Sequence, residues 1–164
     1  MMRQQPRSLT VAMALLGLLV AVGAVTVALT ALLRDTLILN WAEGHRSARE
    51  ILETRGLDYL KSNEPIVIPQ FFPVAAVLFV VLAMLIAVLV VFLRDSHNWA
   101  RVSLTVLVVM IAVATIGGIR IDPPAVFVAI SYLALALDIG LLVALWHRDT
   151  NTYMRGVEEA PAAL

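Results

Sequence analysis

The chain has 164 residues, of which 61% are apolar and 15% charged, with a mean hydropathy of +0.91. Twelve basic residues balance twelve acidic ones, which leaves no electrostatic case for nucleic acid as a partner. Cysteine is absent, and with it go disulfides, thiolate metal sites and thiol redox chemistry.

Four apolar runs take up most of the length: residues 9–33, 71–93, 102–119 and 125–146. The first follows Arg3 and Arg7, as a secretory signal would follow its basic residues. A signal's apolar region is roughly 7–15 residues long, whereas this run has 25, and its small-x-small triplets, such as Ala12-Met13-Ala14, lie within the apolar run and not after it. It is read as a retained helix. The second run is the plainest, with no polar side chain from Val74 to Leu93. A helix of that length spans ~30 Å, the thickness of a bilayer's hydrocarbon core. The expected fold is an all-α membrane protein with four transmembrane helices in one membrane domain over 1–164. One extramembrane amphipathic helix is expected between spans one and two.

With the N-terminus inside, six of the twelve basic residues fall on each side of the membrane. Basic residues in short loops and next to span ends weigh most. Arg3 and Arg7 before the first span are of that kind, as are Arg94 and Arg101, which bracket the 94–101 loop. Most of the opposing set is spread through residues 34–70. A multi-pass protein of the cell membrane with both termini cytoplasmic is therefore expected.

The 34–70 segment is the one substantial piece outside the bilayer. At about 100° per residue, Leu37, Trp41, Gly44, Ala48, Ile51, Leu52, Arg55 and Tyr59 share a face, with Asp35, Glu43, Arg46, Arg49, Glu50 and Glu53 opposite. Gly56 reads as a helix stop, and Pro65, Pro69 and Pro73 impose an extended lead into the second span. Such a helix either continues the first span outward or lies in the interface with Trp41 among headgroups. Residues 34–55 carry four Arg and four acids, whereas a helix that seeks anionic lipid is basic. Packing on protein through Trp41 and Leu52 is the reading taken.

The loop from Arg94 to Arg101 reads as a tight cytoplasmic hairpin. Trp99 suits an interfacial anchor, and Arg94 and Arg101 suit snorkelling to the headgroups. Pro123-Pro124 force a turn between spans three and four, and a short polar tail runs from 147 to 164. The Asn98-Trp99-Ala100-Arg101 loop, Arg7-Ser8 before the first span and Asn151-Thr152-Tyr153 after the last together resemble the small four-helix membrane proteins of actinobacteria. Two positions depart from that pattern: His97 stands where those proteins often have Gly, and Met154 where they often have Phe. The resemblance implies an architecture and an origin, and it brings no activity.

Asp138, near the middle of the fourth run, is the one acidic or basic side chain inside a span. A carboxylate there costs ~3 kcal/mol on insertion scales, and such residues are commonly functional. Ser131, seven residues earlier on the same face, and Thr105 on the third span are its expected company. One reading makes Asp138 a proton or cation site; the other makes it a neutral acid hydrogen-bonded between helices. A lone acid without a relay partner favours the second.

Small residues point to close helix packing: Gly17 with Ala21 on the first span, and Ala136, Gly140 and Ala144 on the fourth. The second set lies roughly opposite Asp138, so the fourth span wants neighbours on two sides, which a second protomer or partner subunit supplies readily. His45, His97 and His147 occupy three separate segments, without the spacing of a helical metal site. No catalytic, metal or cofactor site is expected. The sequence thus points to a non-enzymatic membrane protein acting by self-association or as an accessory subunit, with the bilayer as its constant partner. The alternative is a small proton- or cation-coupled transporter using Asp138.

Overall fold

A computed structural model describes residues 6–62 and 67–158 of the chain. Arg3, Pro65 and the tail beyond Glu158 lie outside the described residues. The architecture is all-α: α1 (Arg7–Leu32), α2 (Arg34–Gly44), α3 (Arg46–Lys61), α4 (Phe71–Arg94), α5 (Asn98–Ile119), α6 (Ala125–Leu145) and α7 (Arg148–Glu158). Helices α1, α4, α5 and α6 are long and apolar enough to cross a membrane. Pro6 and Pro124 stand immediately before α1 and α6, where a missing N–H removes no helical hydrogen bond.

The four spans form a closed ring of antiparallel neighbours, α1 against α4 and α6, and α5 against α4 and α6. Each turns inward a stripe spaced alternately three and four residues, the period that keeps one helix face against its neighbours. On α1 the stripe runs Leu9, Ala12, Leu16, Leu19, Gly23 and Thr26; on α6 it runs Phe127, Ser131, Ala134, Asp138, Leu141 and Leu145. The outward faces are apolar too. Val77, Val81, Met84, Val88 and Val91 of α4 are each more than half exposed, a surface that lipid and not water would cover. The chain is a polytopic membrane protein.

The inward stripes are not uniform along their length. Towards the end that carries α7 they are rich in leucine, and Leu9, Leu16, Leu89, Leu93, Leu104, Leu141 and Leu145 pack into one buried core. Towards the other end small residues, Gly23, Ala75, Ser131 and Ala134, enter the stripes among larger ones such as Phe79 and Phe127. The small side chains cannot meet across four helices, so the bundle is solid at one end and hollow at the other.

The segment between the first two spans is a helical hairpin and not one continuous amphipathic helix. His45, with φ −123° and ψ 113°, breaks it. The His45 ring stacks on Trp41 at 4.7 Å, its Nδ1 lies 2.7 Å from the Trp41 carbonyl, and its own carbonyl accepts from the Arg49 N–H to start α3. The break resets the helical phase. Ile38, Ala42, Ala48 and Leu60 form the buried centre, and Trp41 and Leu52 pack half-buried against it. Gly56, at φ 83° and ψ 174°, is non-helical and divides α3 into two helical pieces across a kink, where the sequence reads a stop. Lys61 pairs with Asp35 at 2.7 Å across the hairpin, and Asn40 donates to the Asp122 carbonyl at 3.0 Å. That last bond ties the hairpin to the α5–α6 turn, so it caps the hollow end of the ring.

Candidate functional site

Asp138 sits where the solid and hollow halves meet. It occupies an inward position of α6, one helical turn from Leu141 of the core, and is 2% exposed. Neither carboxyl oxygen has a hydrogen-bond partner among the described residues. It faces a cleft of about 310 Å³ to which all four spans contribute. Leu16 and Val108, both members of the core, form part of the floor beside it. The remaining walls are apolar apart from Thr26, Thr115 and Ser131. Thr26 and Thr115 donate their hydroxyls to the Val22 and Ile111 carbonyls of their own helices, each at 2.9 Å, as threonine commonly does in a span. On one side Phe79 closes tightly on Gly23: a Cβ there would lie 3.1 Å from the ring.

Of the residues singled out from sequence, Asp138 and Ser131 line this cleft together and Thr105 does not. The Thr105 hydroxyl donates to the Arg101 carbonyl at 2.9 Å and accepts from Trp146 Nε1 at 3.0 Å. It belongs to a second polar group at the α7 end. There the Arg101 guanidinium lies 4.3 Å from the Trp146 ring centre, and its Nη1 donates to Asn151 Oδ1 at 2.5 Å. Ser8 and Thr150 hydroxyls lie 2.8 Å apart, and Thr150 also donates to the Ala144 carbonyl. Arg101 is thus turned inward and buried, not extended to headgroups as the sequence suggested. The missed signal is its spacing: Arg101, Leu104 and Val108 fall on one three-and-four stripe, the buried face of α5.

The small residues divide. Ala144 is buried and Gly140 half-buried, with a Cβ on Gly140 meeting Leu15 of α1 at 3.6 Å. Those two serve contact within the bundle. Ala136, Gly17 and Ala21 are exposed. Trp41 and Leu52 belong to the hairpin cap, remote from Asp138 in the sequence and absent from the cleft lining. Among the described residues, no group of three His, Asp or Glu is arranged to hold a metal ion.

Fold and site together define a small four-span membrane protein with one buried carboxyl facing an intramembrane cleft. Set against family models, curated proteins and solved structures, the chain matches none.

Proposed function

We propose that this protein is a small membrane carrier in which Asp138 exchanges a proton or cation within the four-helix ring. One observation carries the reading. An acid kept for packing satisfies its oxygens between helices, whereas both Asp138 oxygens are buried without a partner and face open space. Such a group is expensive to retain in a bilayer and is commonly functional there. The site offers no nucleophile with a base beside it, so the reading is binding and exchange and not bond cleavage. The test is proton movement in proteoliposomes under an imposed gradient, native protein against Asp138→Asn. Flux that needs the carboxyl supports the carrier. Identical background traces from equally stable proteins overturn it.

Association with a second copy or a partner subunit is a second reading, supported by Gly17 and Ala21, which are exposed on α1. Nothing lies within 4 Å of a Cβ at Gly17, so another helix could approach closely there. Gly17→Leu should lower the oligomeric state in detergent if this face associates. We also read the chain as a relative of the small actinobacterial four-helix proteins. In support, four of the residues carrying that resemblance, Ser8, Arg101, Asn151 and Tyr153, converge at the α7 end.

A further inference from the structure

We propose that the Asp138 cleft binds lipophilic primary amines, with the ammonium group against the Asp138 carboxylate and the hydrocarbon body against the apolar walls. The inference rests on the reading of Asp138 as an exchange site and names its ligand class.

Charge is the first argument. Asp138 is the one acidic or basic residue among those lining the cleft, so an ammonium complements its ionised form and an anion is repelled by it, while an alcohol, too weak a base to take the acid's proton, gains only a neutral hydrogen bond. Coordination then separates an ammonium from a metal ion. Hard cations such as calcium and magnesium take about six or more oxygen ligands. The cleft supplies one carboxylate and three hydroxyls, of which Thr26 and Thr115 are turned onto their own helices. Ser131 is two turns from Asp138, ~10 Å along the axis, too far to share an ion. An ammonium brings its own three donors and an apolar body for the remaining walls. At about 310 Å³ the space is in the range of small-molecule sites, with the Phe79 and Phe127 side chains among its walls.

The proton balance closes without another reactant. A neutral amine arriving through lipid meets the protonated acid: the O–H bond breaks, an N–H bond forms, and an ammonium–carboxylate pair remains. No net charge enters the bilayer. Departure of the amine as an ammonium ion leaves the carboxylate to take a proton from water, which couples amine movement to proton movement.

The experiment measures binding of three fluorescent probes that share a naphthalene ring to the full chain in phosphatidylcholine nanodiscs: 1-naphthylmethylamine, its isostere 1-naphthylmethanol, and the anion of 1-naphthaleneacetic acid. The amine should bind roughly tenfold or more tightly than the alcohol, and the anion most weakly. Asp138→Asn should bring the amine-to-alcohol ratio to about one. Ala134→Phe, which fills the cleft one turn from an intact Asp138, should abolish binding of amine and alcohol alike. Thermal midpoints confirm that each variant is folded. Equal affinity of native protein for amine and alcohol, an amine preference that survives Asp138→Asn, full binding in Ala134→Phe, or no binding of any probe each overturns the amine assignment. Any of these with carboxyl-dependent proton flux intact would refute the amine and leave the exchange site standing.

Discussion

The Arg101 guanidinium lies over the face of the Trp146 indole while the edge of that ring donates through Nε1 to Thr105. A single side chain just past α6 thus holds two consecutive turns of α5, and Asn151 brings α7 to the same arginine. Trp146 is about half exposed, where a cation–π contact is worth ~0.5–1 kcal/mol, and the planar guanidinium stacks where an ammonium does not. Arg101→Lys should therefore lower stability although it keeps the charge. A double-mutant cycle with Trp146→Leu, read by thermal unfolding in mild detergent, should give a coupling of about 0.5–1 kcal/mol. Simple additivity of the two losses would show that the stack carries nothing.

Asp138→Leu should stabilise the protein. Replacing a buried carboxyl that has no partner by an apolar group removes an unmet desolvation cost of ~1–3 kcal/mol, and the cleft has room for the larger side chain. The sequence alone suggests a loss, because it supplies Ser131 or Thr105 as a hydrogen-bond partner that the structure does not give. A lower thermal midpoint for Asp138→Leu than for native protein would mean that the carboxyl is bonded after all.

In the hairpin cap the energy should follow burial. Ile38 and Leu60 are fully covered, whereas Glu43 and Glu53 are exposed. Ile38→Ala and Leu60→Ala should each cost ~2–5 kcal/mol, and the two Glu→Ser changes should stay within about 0.5 kcal/mol. Trp41→Ser and Leu52→Ser, at half-buried positions, should fall between. Chemical denaturation in detergent separates these groups, and a flat series would deny the cap a packed centre.

Gly56→Ala is a separate probe of the same cap. Its φ of 83° with ψ of 174° is a backbone region nearly confined to glycine, and no neighbour lies within 4 Å of an added Cβ. The whole effect is then conformational, a loss of ~1–3 kcal/mol. An unchanged midpoint would mean that the kink relaxes freely.

Orientation is open to direct measurement because the native chain has no thiol. His97→Cys should react with an impermeant reagent only from the cytoplasmic side, and Glu50→Cys only from outside, since basic residues in short loops resist translocation. The reverse labelling pattern would invert the protein in its membrane.

The spans are legible in the sequence to within a few residues, 71–93 against Phe71–Arg94 and 125–146 against Ala125–Leu145. A run of that length without polar side chains has one low-energy solution in lipid. Rotation about the helix axis is harder to read than position along it. Thr105 is about 100° from Leu104, which turns it towards Trp146 and away from the cleft. The hairpin fails for a related reason: one projection cannot cross the phase reset at His45. Asp138 stands out because it is alone. Its cleft does not, since the hollow arises only when small residues from separate spans, such as Gly23, Ala75 and Ala134, are brought to the same level.

Chain order gives the ring a history. Helix α1 borders α6, and the Ser8–Thr150 contact joins residues 142 positions apart, so one side of α1 waits until α6 and Thr150 have been made. Two of its threonines are equipped for the wait: Thr26 and Thr30 donate to the Val22 and Val27 carbonyls of the same helix and need no later partner. Asp138 has no such local bond, and it is carried by the last of the four spans to be made. It therefore enters the bilayer when α1, α4 and α5 already exist to receive it. In that order of manufacture the costliest side chain spends the least time facing lipid.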